Sequence, residues 1–205
     1  IQVGHSKVAK ADANAKTVYV HKISFDVKTK TTTIISLLKE IDTTVAMDKK
    51  VGDIVAKWQA ILDIKIKDII ANPNEVIYTT TTPLDARDKQ IRSEQTNMGT
   101  LITQSMSFAF DDKVDCALVN GGSIRIDDVL KGEITAVDIF RVLPYGGPVL
   151  KVKLTGKLLK EVLDFGIKAA GTGAFLQKHN VTQENSIWWV KGKKIKTNKT
   201  YTVAF

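Results

Sequence analysis

The feature that most constrains this chain is a short apolar run that breaks abruptly into polar residues and glycine. Residues 116–119 are typical of a buried strand. They are followed at once by Asn120, Gly121, Gly122, Ser123 and, after one isoleucine, Arg125. A strand that ends in this way brings backbone N–H groups, an amide and a guanidinium to one rim of a sheet, where they can hold an anionic ligand. A plain glycine turn beside a solvated arginine is the alternative, and the neighbouring motifs decide between the two.

The composition is that of an ordinary globular chain. Of 205 residues, 43% are hydrophobic and 25% are charged, so we expect one domain of moderate size, alone or with an appendage. The 30 basic and 22 acidic residues give a net charge of +8, mostly from lysine. Aromatic residues are not interleaved with the basic ones, which argues against a nucleic-acid partner. We find no apolar run of membrane-spanning length and no signal peptide, and the absence of an initiator methionine suggests that an upstream segment has been removed.

The first part of the chain is rich in β-branched residues. Residues 16–25 alternate apolar and polar side chains, and residues 31–38 favour a second strand. From Asp48 the apolar residues recur at helical spacing, which predicts a helix capped by Asp48 with Trp58 in the core. His5 has no second histidine at ligand spacing, and we interpret it as a surface residue.

The second part alternates helices and strands. Helices are predicted to begin at Thr96 or Asn97, at Thr135 and at Thr155. Further strands are predicted at residues 151–154, 175–177, 187–190 and 201–205, with Trp188 and Trp189 on opposite faces. These elements indicate an α+β or α/β fold in which a mixed sheet is flanked by helices.

Two arginines precede the predicted helix at residue 96. Arg87 and Arg92 bracket a loop, and a guanidinium is the group best suited to a bidentate grip on phosphate or carboxylate. The nearby acids Asp85, Asp88 and Glu94 allow surface ion pairing as an equally simple explanation.

A proline and two glycines end the helix that begins at Thr135. They display Tyr145 on a loop between rigid elements, which is a suitable position for a ring that stacks on a ligand.

Five blocks taken together resemble a known family. They are residues 87–99, 119–125, 132–135, 143–147 and 175–177. In this order they resemble the C-terminal domain of the 5'-nucleotidases, the group that includes periplasmic UDP-sugar hydrolases and cyclic-nucleotide phosphodiesterases. The resemblance makes residues 45–205 a nucleotide-binding domain and residues 1–44 a β-rich remnant of the N-terminal metallophosphoesterase domain.

The resemblance implies that the two domains have different functions. In the family, two divalent metal ions in the N-terminal domain activate water for phosphoester hydrolysis, and the C-terminal domain binds the nucleoside end of the substrate. His5, His21 and His179 do not occur in the metal-binding contexts of the family. We therefore expect no cofactor in this chain, no activity from it alone, a missing catalytic domain as its partner, and a periplasmic or extracellular location.

The resemblance also assigns roles to residues of the C-terminal part. Arg92 and Arg125 match arginines that grip the ribose-phosphate side of the nucleotide. Arg87 matches a further arginine, although one extra residue separates it from Arg92. Tyr145 replaces a phenylalanine that forms half of an aromatic clamp on the base.

Asn120 matches an asparagine that contacts the base or the sugar, and Gly121 and Gly122 belong to the same predicted substrate site. The family continues past the position of Phe205 to a second aromatic residue and a glycine-rich segment, so we expect an incomplete clamp and weak affinity. A non-catalytic nucleotide receptor and a structural remnant without a ligand are the alternatives. The preferred base, the type of phosphate ester and the oligomeric state are left open.

Overall fold

A computed structural model describes residues 1–4 and 6–205, so the prediction for His5 lies outside the described residues. The chain divides into two compact units, Ile1–Lys65 and Ile66–Phe205, which are described separately. The domain boundary predicted between residues 44 and 45 stays a prediction.

The secondary structure comprises five α-helices, two 3-10 helices (Ala13–Ala15 and Gly121–Ser123) and thirteen strands within the described residues. The helices are α1 (Lys49–Ile69), α2 (Asp88–Ile91), α3 (Asn97–Phe108), α4 (Ala136–Val142) and α5 (Gly156–Lys168). The strands are β1 (Gln2–Val3), β2 (Ser6–Lys7), β3 (Thr17–Asp26), β4 (Thr31–Glu40), β5 (Val76–Asp85), β6 (Cys116–Asn120), β7 (Val129–Thr135), β8 (Lys151–Thr155), β9 (Leu176–His179), β10 (Val181–Glu184), β11 (Ile187–Val190), β12 (Lys193–Lys194) and β13 (Thr200–Ala204).

The main feature of the first unit is a long antiparallel hairpin formed by β3 and β4. Its register runs without interruption from the pair Thr17–Glu40 to the pair Asp26–Thr31. At the turn, Asp26 accepts hydrogen bonds from the backbone N–H groups of Lys28 and Thr29. These bonds hold the pKa of the Asp26 carboxyl below its usual value.

Helix α1 begins as predicted, because the carboxylate of Asp48 accepts a hydrogen bond of 3.0 Å from the N–H of Val51. The prediction that Trp58 lies in the core is wrong, since its side chain is 63% exposed. Among the described side chains of the first unit only Thr17 is buried, and the apolar face of α1, which includes Val51 and Ile54, is exposed. None of the described helices is long and apolar enough to cross a membrane.

The second unit contains a four-stranded mixed sheet with the strand order β8-β13-β6-β9. Strand β6 runs parallel to β13 and antiparallel to β9, and β8 runs antiparallel to β13. Strands β5 and β7 form a separate antiparallel pair, and β10, β11 and β12 form a third sheet. The pair β5–β7 is not predicted from the sequence.

Side chains that alternate along β6 enter different clusters on the two faces of the sheet. Leu118 packs in one cluster with Leu159 and Leu163 of α5, whereas Val119 packs in another cluster with Met98 and Ile102 of α3. Helices therefore cover both faces of a mixed sheet, and the predicted fold class is confirmed.

Side-chain caps also begin three helices of the second unit, as predicted. The hydroxyl of Thr96 accepts from Gly99 N, and the hydroxyl of Thr155 accepts from Leu158 N. Thr135 and Asp138 form a reciprocal capping box at the start of α4.

The paired tryptophans of β11 also follow the prediction. Trp188 is 2% exposed and its indole N–H donates to Asp164 at 2.7 Å, whereas Trp189 on the other face is only half-buried.

The single cysteine should be unreactive in the folded protein. Cys116 is fully buried, and burial together with the nearby Asp115 carboxylate raises the pKa of its thiol to about 12. Since the thiolate is the nucleophile, we expect slow reaction with a colorimetric disulfide reagent at pH 8 and rapid reaction in denaturant. Rapid stoichiometric labelling of the native chain would contradict this burial.

Candidate functional site

Asn120 ends β6 with its side chain already engaged by the protein. The amide nitrogen donates to the carbonyl of Gly173 at 3.2 Å, and the amide oxygen accepts from the hydroxyl of Ser123 at 2.7 Å. The half-buried side chain thus ties the end of β6 to the following turn, residues 121–123, and to the turn around residue 173.

The two glycines after Asn120 provide close packing instead of free donors. The N–H of Gly121 donates to Phe175 O at 2.7 Å, and the N–H of Gly122 donates to Gly173 O at 2.9 Å. The expectation that these two groups are offered to a ligand is therefore wrong for this structure. Glycine is required at 121 because a Cβ atom there would lie 2.2 Å from the carbonyl oxygen of Ile91.

The segment 91–96 is held in place by one buried side chain, Gln177 of β9. Its amide nitrogen donates to Ile91 O at 2.9 Å and to Glu94 O at 2.6 Å, and its amide oxygen accepts from Thr96 N at 2.9 Å. Gln177 is fully buried. It positions Arg92, and sequence reasoning missed this role. The sequence feature that could have indicated this role is that the polar Gln177 directly follows the apolar residues Phe175 and Leu176 of a predicted strand.

Arg92 follows α2, a single helical turn where the sequence predicts a loop. Its guanidinium pairs with Asp88 at 2.9 Å, and its side chain is 26% exposed. Among the described residues, its Nε atom is buried without a hydrogen-bond partner. An unsatisfied buried donor typically costs about 1–3 kcal/mol.

Arg87 follows the end of β5 and is bound to an acid of its own segment. Its Nε donates to Asp85 at 2.9 Å, and a second nitrogen pairs with the other oxygen of the same carboxylate. The guanidinium holds the pKa of the Asp85 carboxyl below its usual value. The structure therefore brings Arg87 into a local ion pair, the simple alternative that its neighbours suggest.

Arg125 differs from the other two arginines of the predicted site. Its backbone N–H donates to Val142 O at 2.9 Å, which places it beside the end of α4. Its guanidinium lies 5.9 Å from the centre of the Tyr145 ring and donates to Gly122 O at 3.4 Å. Within the described residues, it has no carboxylate partner comparable to Asp85 or Asp88.

Two cavities meet at Asn120. One has a volume of about 540 Å³ and is lined by apolar residues of α5 and β9, among them Phe165 and Leu176. The other has a volume of about 450 Å³, and Ser123 and Tyr145 are part of its lining. Both volumes lie in the range of small-molecule sites, and the exposed ring of Tyr145 offers a face on which a planar ligand can stack.

Comparisons with known proteins identify the family to which the second unit corresponds. Residues 76–205 match the family model described as the 5'-nucleotidase C-terminal domain. The chain belongs to this family.

Similar proteins include a trifunctional nucleotide phosphoesterase, YfkN, of Bacillus subtilis, which is 34% identical over 108 residues, and the 5'-nucleotidase of Rattus norvegicus, which is 29% identical over 182 residues. These alignments cover 51% and 83% of this chain but only 7% and 30% of the relatives. The chain therefore spans less than a third of the length of either relative.

A similar fold occurs in the crystal structure of a 5'-nucleotidase precursor from Thermus thermophilus. The TM-score is 0.71 at 24% identity, and the match covers 92% of this chain and 39% of that structure. This likeness supports the fold of the 5'-nucleotidase C-terminal domain.

Gln177→Ala should lower the free energy of unfolding by about 3–5 kcal/mol, because it leaves a cavity and three unpaired backbone groups. Chemical denaturation monitored by circular dichroism measures this change. Gln183→Ala is the matched control at an exposed position of β10 and should change stability little. Equal effects of the two substitutions would remove Gln177 from its structural role.

Asp85 should titrate below the usual range of aspartates in an NMR-monitored pH series, and Arg87→Gln should raise its pKa. The pKa of Asp85 is lower in the folded chain than in the unfolded chain. The ionised carboxylate therefore stabilises the fold fully at pH values above the unfolded-state pKa, and this stabilisation is lost as the pH falls through the folded-state pKa. Arg141→Gln serves as the control. An unchanged Asp85 titration in Arg87→Gln would contradict the assigned cause.

Proposed function

We propose that this chain is the nucleotide-recognition part of a 5'-nucleotidase-type phosphoester hydrolase involved in nucleotide catabolism. The observation that carries the proposal is the pair formed by Arg125 and Tyr145. Arg125 is a cation without a carboxylate partner among the described residues, and it lies against the Tyr145 ring. Tyr145 is 73% exposed and lines a cavity of about 450 Å³. A nucleotide presents the complementary groups, namely a planar base and an anionic phosphate.

Each member of the pair has its own role in the proposed binding. The Tyr145 ring stacks on the base, which contributes on the order of 1–3 kcal/mol per base. The Arg125 guanidinium donates charge-assisted hydrogen bonds to the ribose-phosphate side. Arg92 and, less directly, Arg87 add positive charge, while Asn120, Gly121 and Gly122 shape the backbone around the ligand.

The hydrolytic step belongs to another part of the proposed parent protein. Two divalent metal ions would activate the attacking water in a metallophosphoesterase domain. Within the described residues no group of three or more His, Cys, Asp or Glu side chains fits a metal ion, so the residues present do not fit these ions. The family resemblance also leads us to propose an exported, periplasmic or extracellular parent.

Arg125→Ala should weaken AMP binding by about 10- to 100-fold, the effect of losing one charge-assisted contact. The measurement is an NMR titration of the 205-residue chain with AMP, adenosine and UDP-glucose. Lys131→Ala, at an exposed position of β7, is the control and should leave the affinity unchanged.

The location of the shifts separates the alternatives. Shifts at residues 120–125 and 145 would support nucleotide recognition and would rank the three ligands. Unchanged affinity in Arg125→Ala would remove this residue from the site, and absence of shifts at millimolar ligand would favour a structural remnant. Binding without phosphate release by the full natural protein would favour a non-catalytic nucleotide receptor.

A further inference from the structure

A second concentration of positive charge lies outside the candidate site, between β11 and β13. Five lysines occur within nine residues and are here called the lysine cluster: Lys191, Lys193, Lys194, Lys196 and Lys199. The sequence from residue 185 to residue 205 contains no aspartate or glutamate. Much of the net charge of +8 is therefore carried by one short segment.

Two ordered turns position the lysine cluster. Lys191 and Gly192 have φ angles of 48° and 69° and close the β11–β12 hairpin, as a two-residue turn with two positive φ angles does. The second turn is closed by a hydrogen bond of 3.1 Å from Lys199 N to Lys196 O. It is also attached to the start of α5, since Gly156 N donates to Lys199 O at 2.7 Å.

All five lysines line one cavity of about 290 Å³, whose lining also includes Val190, Tyr201 and Asp115. Asp115 is the single acid in this lining, and one of its oxygens already accepts hydrogen bonds from the N–H and the hydroxyl of Thr202. Its other oxygen is 3.9 Å from the Lys199 ammonium group. Among the described residues, no other ion pair involves the cluster, so the cavity carries a large excess of positive charge.

The chemistry of the lining selects a class of ligand. A concave surface lined by one sign of charge concentrates counter-ions of the opposite sign. Lysine ammonium groups act as point charges and do not impose the planar fork geometry of arginine. The ring of Tyr201 is 4% exposed and lies 4.6 Å from the Lys199 ammonium group, so no aromatic face is open for a base.

We propose that the lysine cluster is a binding site for a condensed phosphate, a small anion with two or more linked phosphoryl groups. Such an anion places several negative charges within the span of the cavity and needs no stacking partner. The site is distinct from the proposed nucleotide site. Asp115, which lines the lysine-cluster cavity, directly precedes β6, and Asn120 of the nucleotide site is the last residue of β6. These two residues are therefore about 17 Å apart along the strand.

Tripolyphosphate titrated into the 205-residue chain provides the test, with binding followed by calorimetry and NMR. We expect shifts at residues 190–201, weaker binding of orthophosphate, and loss of affinity as salt rises from about 50 to about 300 mM. The double substitution Lys193→Gln/Lys196→Gln should raise the Kd by roughly three- to tenfold. The control Lys131→Gln/Lys168→Gln removes the same charge at exposed positions of β7 and α5 and should leave the Kd unchanged.

Several outcomes would overturn the proposal. Equal loss of affinity in the two double variants would show that only the net charge of the chain matters. Equally tight binding of orthophosphate would show that the site holds a single phosphate group and does not recognise a condensed phosphate. Tighter binding of a single-stranded oligonucleotide would point to nucleic acid instead. Shifts confined to Arg125 and Tyr145 would place the anion in the nucleotide site, whose own test with AMP is independent of this one.

Discussion

The geometry of the candidate site depends on the buried amide of Gln177. The segment 91–96 is not part of a sheet, so its inward-facing backbone groups need partners that a strand would otherwise provide. Gln177 satisfies three of them and fixes the distance between this segment and β9. A buried amide is favourable only when its partners are all in place. The bonds of Gln177 position Arg92, and the carbonyl group of Ile91 that they fix is the one against which Gly121 packs closely.

The arginines of the site divide into two kinds. Arg87 and Arg92 pair with acids of their own segment, so their charge is partly neutralised and their side chains are anchored. Arg125 lies against a ring and a carbonyl group, and its charge remains available to an anion. In the proposed nucleotide site, the electrostatic recognition of the phosphate therefore depends mainly on Arg125.

Local chemistry allowed part of this structure to be predicted, and non-local packing set the limit. The helix caps at Thr96, Thr135 and Thr155 follow from residues within one turn of the chain. Periodicity identified the amphipathic face that includes Trp58, but periodicity cannot show what covers such a face. Likewise, the carbonyl groups that take up the N–H groups of Gly121 and Gly122 come from a loop about fifty residues away, which no local pattern reveals.

The distribution of the tryptophans has a spectroscopic consequence. Trp58 belongs to the first unit and is largely exposed, whereas Trp188 and Trp189 belong to the second unit, with Trp188 fully enclosed. An exposed indole emits at longer wavelength than an enclosed one. The red shift of the natural fluorescence on unfolding therefore reports mainly on the second unit, through Trp188, because Trp58 already emits from a largely exposed position in the folded chain.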